Sequence, residues 1–351
     1  SANVHRLCAH AEIHLQGLLR WSRKGLTEVK KVEQKLDIAW KMRILGAQAH
    51  GLSEQWMDTK IPGSAYATLL AHGLIPDPFR GEEELHVLPL MAYETEWRCV
   101  FEASADAAEA GRAWLRFDGV DTLADVFFNE KLIGQTNNMH RQWLFPVRPR
   151  NGENVLLVRF HSPTAFIAQA DEQVHAGGIT DAMRGFSHLR KAHCMFGWDW
   201  GPRLPDAGLF RPVTLVYSDD PRIWDVRVHQ DHTGREQRVR LTATCTTDPL
   251  AESDLLRYRL LTPDGQWLEG SPDGEIDVPN AQLWWPRGYG DQPLYTLCIE
   301  LWSNGCQTDR WERRIGLRTM EIDVQRDDYG QRCAQRVNGV DVFAMGANYI
   351  P

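Results

Sequence analysis

From about Trp40 onward the chain consists of short runs of alternating apolar and polar residues, broken at close intervals by turn formers. Thr95–Phe101, Ala113–Phe117, Asp125–Phe128, Gln142–Val147 and Asn154–His161 are such runs, and Asp118-Gly119, Asn129, Gly134 and Asn151-Gly152 separate them. Successive side chains of an extended strand face opposite sides, so this alternation marks strands buried on one face. Phe127 through Gly134 reads as strand, tight turn, strand. Many short strands at this spacing predict a β-sandwich or jelly roll.

A second β block begins near Asp219-Asp220-Pro221. Trp224–Val228 and Arg238–Ala243 alternate in the same way, and Pro263-Asp264-Gly265 and Pro272-Asp273-Gly274 read as turns. Strands around Tyr295–Trp302 and Thr308–Ile315 complete about a hundred residues that suit an immunoglobulin-like sandwich. The first 36 residues differ. Leu26, Val29, Val32 and Leu36 recur at helical steps, and seven Lys/Arg against three Glu leave the segment at +4. This predicts a short amphipathic helical leader that packs on the body, and no function is assigned to it. The expected organisation is 1–36 leader, 37–218 first sandwich, 219–317 second sandwich and 318–351 the lead-in to a further domain.

Charge and composition remove several classes. A net charge of -8 without a long basic stripe argues against nucleic acid, and no apolar run reaches the roughly 18 residues that span a bilayer. His5, Arg6, His10, Glu12 and His14 interrupt any apolar core a secretory signal would need. The seven cysteines are scattered without a CxxC pair, so reduced thiols in a cytoplasm are expected. The histidines form no HExxH or HxH pattern, and neither a metal nor a cofactor is expected.

The segment Phe196-Gly197-Trp198-Asp199-Trp200-Gly201-Pro202 carries the chemistry. A sugar ring offers apolar C–H faces and hydroxyl edges, and its binder wants an aromatic surface beside a hydrogen-bond acceptor. Gly197 and Gly201 permit backbone angles that strain other residues, and Pro202 stiffens the exit. The competing reading is a turn whose two indoles pack into a core while Asp199 caps backbone amides.

The order of several blocks resembles glycoside hydrolase family 2 and, within it, the β-mannosidase branch. They are Ile61-Pro62-Gly63-Ser64 with Leu69 through Phe79, Trp97, Phe128 through Gly134, and Arg190 through Pro202 with Gly208 through Val213. Leu283 through Gly290 with Gln292 through Tyr295, and Val337-Asn338-Gly339 with Gly346 through Pro351, complete the series. Glu130 stands where the family usually has Gly, which implies a less tight turn.

The resemblance implies a jelly roll, an immunoglobulin-like sandwich and, over 318–351, the lead-in and first strand of a (β/α)8 barrel. It also implies exo-hydrolysis of terminal β-D-mannose residues with retention, through two carboxylates about 5–5.5 Å apart. Such a barrel needs about 250 residues, so both catalytic glutamates are expected beyond Pro351, and these domains are expected to pack against it. No catalytic residue is assigned within the chain; Asn129-Glu130 lies in a hairpin, away from any barrel strand. Trp198 and Asp199 are the implied substrate contacts, with Asp199 accepting from mannose hydroxyls. Trp200 is expected in a core, Arg190, Lys191 and His193 as surface or bracing residues, and Asn348 near the pocket floor. Trp284 and Trp285 are adjacent in a strand-like stretch and are expected to face opposite ways, as packing. The implied partner is a β-mannoside. Exo-β-glucosaminidase, another family 2 glycosidase and a non-catalytic carbohydrate-binding protein are the alternatives.

Overall fold

The computed structural model describes residues 32–37, 39–233 and 237–348. They form two compact units, 32–219 and 220–348. The first begins with β1 (Val32–Lys35), β2 (Trp40–Ile44), β3 (Met57–Thr59), β4 (Thr95–Ala103), β5 (Arg112–Phe117) and β6 (Leu123–Phe128). It continues with β7 (Lys131–Asn137), β8 (Trp143–Pro146), β9 (Gly152–Phe160), β10 (Phe196–Trp198), β11 (Gly201–Arg203) and β12 (Val213–Ser218). Four helices lie between strands: α1 (Ala65–Ala71), α2 (Glu83–Val87), α3 (Ala105–Glu109) and α4 (Pro163–Gln173).

Two antiparallel sheets make the sandwich. One runs β3-β2-β4-β9-β6-β7 and the other β1-β12-β5-β8. Strict alternation along β5 and β6 turns Ala113, Leu115, Phe117, Ala124, Val126 and Phe128 inward. They meet Trp40, Met42, Trp97 and Phe160 in one continuous core, and burying large side chains of this kind contributes roughly 1.5–3 kcal/mol each. This is the expected jelly-roll sandwich.

The helical expectation for residues up to Leu36 fails at its C-terminal end. Val32–Lys35 is a strand, paired antiparallel with β12 from Val32↔Tyr217 to Lys35↔Thr214. The edge of β12 offers those four residues a hydrogen-bonded ladder, which outweighs the weak local helical pattern. Residues 1–31, which hold the rest of the expected leader, lie outside the described residues.

In the second unit the strands are β13 (Ile223–Asp231), β14 (Val239–Thr247), β15 (Leu255–Leu261), β16 (Trp267–Glu269) and β17 (Glu275–Val278). After them come β18 (Tyr295–Ser303) and β19 (Cys306–Ile315). Sheets β13-β14-β17 and β16-β15-β18-β19 enclose Val226, Leu241, Tyr258, Leu260, Leu297 and Ile299, as an immunoglobulin-like sandwich requires. Trp284 lies against Gly316 and Trp285 against Gly290, where a Cβ would meet each indole at 2.9 Å. The two rings serve separate packing sites and form no common platform.

Residues 318–348 do not show the expected barrel strand. Among the described residues they form a meander of β20 (Met320–Asp327), β21 (Gly330–Val337) and β22 (Val340–Val342). Met320, Ile322 and Val324 share one of its faces and are exposed. On the opposite face Arg336 reaches Asp341 at 2.7 Å and Asp323 at 3.1 Å. Tyr349, Ile350 and Pro351 lie outside the described residues.

The β6–β7 turn corrects a further expectation. Phe128 pairs directly with Lys131, leaving only Asn129 and Glu130 in the loop, both in the left-handed region at φ 47° and 69°. The turn is as tight as the usual Asn-Gly. Asn129 holds it: its Oδ1 accepts from the Val155 amide at 2.9 Å and its Nδ2 donates to Asn154 Oδ1 at 2.9 Å. Glu130 has no such compensation from glycine-like freedom. A left-handed residue with a Cβ costs roughly 1–2 kcal/mol, and glycine's extra chain entropy returns about 0.5–1 of that. Glu130→Gly should therefore raise stability to urea by about 0.5–1 kcal/mol. An unchanged or lowered unfolding midpoint would mean that the turn carries no strain at Glu130.

Candidate functional site

Phe196 to Arg203 folds into a β-hairpin in which Phe196 pairs with Arg203 and Trp198 with Gly201. Asp199 and Trp200 are its two corner residues. Gly197 is required: its φ is +94°, and a Cβ there would meet the Arg203 side chain at 2.6 Å. Gly201 has open space around it and no positive φ, so only the first of the two glycines uses the freedom expected of both.

The stem is firmly held. Phe196 is fully buried in a small core with Ile167 of α4 and Leu189. Its carbonyl accepts the Met183 amide at 2.9 Å, and the Leu204 amide donates to Met195 O at 2.9 Å. Arg203 adds a guanidinium bond to Asp181 O at 3.1 Å, and its amide donates to the Glu84 carboxylate at 3.2 Å.

The tip is bare. Trp198 is 41 % and Trp200 58 % exposed, their ring centroids 5.1 Å apart and the planes tilted by 45°. The expected core position of Trp200 is therefore wrong: the corner turns its indole outward beside Trp198. Asp199 is exposed between them and makes no hydrogen bond or ion pair among the described residues, so it does not cap the turn. Two indoles with a free acceptor between them make a surface that can stack a pyranose face and bond its hydroxyls.

Immediately before the hairpin, Lys191 is completely buried. Its ammonium donates to the Asp121 carboxylate and, at 2.6 Å, to Asp206 O. Burial pulls the Lys191 pKa below the ordinary lysine value, against the opposing pull of Asp121. Burial likewise pushes Asp206 up, although its carboxylate accepts from the Tyr66 amide at 3.1 Å and the Ala207 amide at 2.8 Å. Arg190 contributes through its backbone, with its carbonyl accepting the Met139 amide at 3.0 Å. His193 packs its ring edge against Phe186 at 4.9 Å. All three brace the loop. Asp121 and Asp206 were not singled out from the sequence, where nothing local connects residues 70 and 15 positions from Lys191.

A second tie lies under the hairpin. Asp171, at the end of α4, binds Arg184, the His175 ring at 3.2 Å and the Ala176 amide at 3.1 Å. The Arg184 guanidinium, more than any other neighbour, holds this carboxyl at about 2, below its usual 3.8. Asn348 is exposed. Glu130 sits on the β6–β7 turn and not at this site. Among the described residues no group of three or more His, Cys, Asp or Glu side chains is arranged to hold a metal ion.

Two outcomes follow for the support of the hairpin. Lys191→Met leaves the Asp121 carboxylate buried without its cation and should cost about 3–5 kcal/mol of stability to urea, part of it recovered by adding Asp121→Asn. A single variant within about 1 kcal/mol of the parent would show that the buried pair is not a structural tie. For Asp171 the folded pKa lies below the unfolded one, so its contribution is complete above pH 3.8 and is lost as pH falls toward about 2. The stability gap between parent and Asp171→Asn should be constant above that window and close within it; a gap that persists at the acid end would refute the Arg184 pairing.

Comparison with known proteins agrees across both units. Residues 40–211 match the model described as glycosyl hydrolase 2 galactose-binding domain-like, and residues 221–318 match that of glycosyl hydrolases family 2. The chain is 31% identical over 316 residues to β-mannosidase B of Aspergillus terreus, covering 85% of this chain and 37% of the relative. The crystal structure of β-D-mannosidase from Dictyoglomus thermophilum superposes with a TM-score of 0.77 at 32% identity, over 91% of this chain and 40% of that one. Ruminococcus gnavus β-glucuronidase shares the fold, with a TM-score of 0.60 at 18% identity over 92% of this chain and 50% of its own. The chain thus spans about two fifths of the length of the β-mannosidases it matches. With both sandwiches matched in order, the chain belongs to glycosyl hydrolases family 2 and carries that family's N-terminal β domains.

Proposed function

We propose that these domains are the sugar-binding wall of a retaining exo-β-mannosidase that removes terminal non-reducing β-D-mannose residues. The observation that carries this reading is the hairpin tip: a free carboxylate, Asp199, beside two exposed indoles on a stem clamped from both sides. In this reading Asp199 accepts hydrogen bonds from hydroxyls of the terminal mannose and Trp198 lines the pocket. Trp200 packs at a tilt against Trp198 and holds its ring in place. The carboxylate closes the far end of the pocket, which restricts action to chain ends.

Hydrolysis with retention needs an acid/base and a nucleophile, two carboxylates about 5–5.5 Å apart. We assign both to a (β/α)8 barrel, and none to the two sandwiches. The similarity to β-mannosidases from a fungus and a bacterium supports mannose over other glycones.

The test is turnover of an aryl β-mannoside by this chain beside a polypeptide of the relatives' full length that begins with it. The short chain should be inactive and the long one active. In the long protein Asp199→Ala should lower kcat/KM about 10²-fold, the equivalent of two charge-assisted hydrogen bonds of about 1.5 kcal/mol each. Clear turnover by the 351-residue chain would place the carboxylates within it and overturn the assignment. An Asp199→Ala enzyme with unchanged kcat/KM would remove the hairpin from the site, and preference for an aryl β-glucosaminide would change the glycone.

A further inference from the structure

Helix α4 has two working faces. Ile167 points into the small core that holds Phe196 of the hairpin. Phe166 and Gln169, three residues apart and so on a common face, line a separate cleft of about 800 Å³. Its other wall is the outer surface of β6 and β7, where Asp125 stands opposite Gln135. The size lies within the range of ordinary small-molecule sites, roughly 300–1,000 Å³.

We propose that this cleft is a second saccharide-binding site, for a neutral pyranosyl residue, distinct from the Trp198-Asp199 tip. The chemistry of its lining argues for that class. Phe166 is 38 % exposed and offers an open aromatic face. Facing it is a fixed set of acceptors and donors. His161 is held between Glu94, at 2.6 Å from Nδ1, and Asp125, at 3.1 Å from Nε2. Gln135 donates to Asp125 Oδ1 at 2.7 Å. Each carboxylate oxygen keeps a lone pair for a further donor, and the exposed Gln169 amide adds a donor and an acceptor.

These groups are oriented before any ligand arrives, which lowers the entropy lost on binding. Arg141, stacked over the Trp143 ring at 4.9 Å, also lines the cleft. Two carboxylates, Glu94 and Asp125, against the one guanidinium of Arg141 leave no excess positive charge in the lining, so an anionic ligand gains nothing there. A ligand rich in hydroxyl donors with an apolar face satisfies both walls.

The experiment is saturation-transfer NMR on the 351-residue chain with β-1,4-mannobiose, cellobiose and lactose as probes, and glucuronate as the anionic control. Transfer to at least one neutral disaccharide should persist in Asp199→Ala, which removes the hairpin carboxylate. It should be lost, or its Kd raised at least tenfold, in Phe166→Ala/Gln169→Ala. Both substitutions are on exposed positions, and Gln135→Ala on β7 supplies a second variant should the helix be perturbed. The proposal is overturned if no neutral disaccharide binds at about 1 mM or tighter, if the helix and β7 variants bind as the parent does, or if Asp199→Ala alone abolishes binding. It is equally overturned if glucuronate binds better than the neutral sugars. Failure of the mannosidase reading would leave these outcomes unaffected, because none of them measures turnover.

Discussion

The ammonium of Lys191 is the point on which the loop end of the first sandwich depends. It joins the Asp121 carboxylate, on the β5–β6 loop, to the backbone at Asp206, and Asp206 in turn accepts the Tyr66 amide in the first turn of α1. The hairpin β10–β11 lies between Lys191 and Asp206 in the chain, so this one cluster fixes the chain on both sides of it. Taking such charges out of water costs several kcal/mol per ion, and only full satisfaction of the cluster makes the arrangement stable. Replacement by apolar residues would fill the same space, but it would not specify which three loops meet. The cluster therefore serves position more than net stability.

Positional precision matters because of what the hairpin carries. Trp198 and Trp200 leave apolar surface in water, which costs roughly 25 cal/mol per Å², and a fold gains nothing from that by itself. Their tilted mutual contact limits the loss and keeps both rings in a defined orientation beside Asp199. A stiff stem then presents the carboxylate with little conformational freedom left to lose on binding. The buried Lys191 cluster, the Asp171 clamp and the Phe196 anchor all act on this one presentation, from three directions.

The sheets were legible in the sequence because strand alternation is a local signal. Arg112–Phe117 and Leu123–Phe128 show in their burial the period of two that their composition shows. The local pattern misleads where the deciding partner is distant. Val32–Lys35 has a helical pattern of its own, yet the edge of β12 makes it a strand. The Asn129-Glu130 turn was placed correctly, but its tightness depends on Asn154 and Val155 across β9. In the candidate site the Trp-Asp-Trp segment stood out by composition alone. The outward face of Trp200 did not, because a two-residue corner decides it. Neither did Lys191, since no local pattern distinguishes a buried lysine from a solvated one.

Helix α4 shows how a single element can serve two surfaces without conflict. A helix places residues three and four apart on one side, so the buried positions Ile167 and Asp171 form a stripe that supports the hairpin and its clamp. Phe166 and Gln169 fall on the other stripe, free of that packing. Changes on the outer stripe therefore leave the hairpin's anchor untouched, while changes at Ile167 or Asp171 would disturb it first. This separation allows the cleft lining to vary without loss of the Trp198-Asp199 geometry, and it gives each surface variants that do not act through the other.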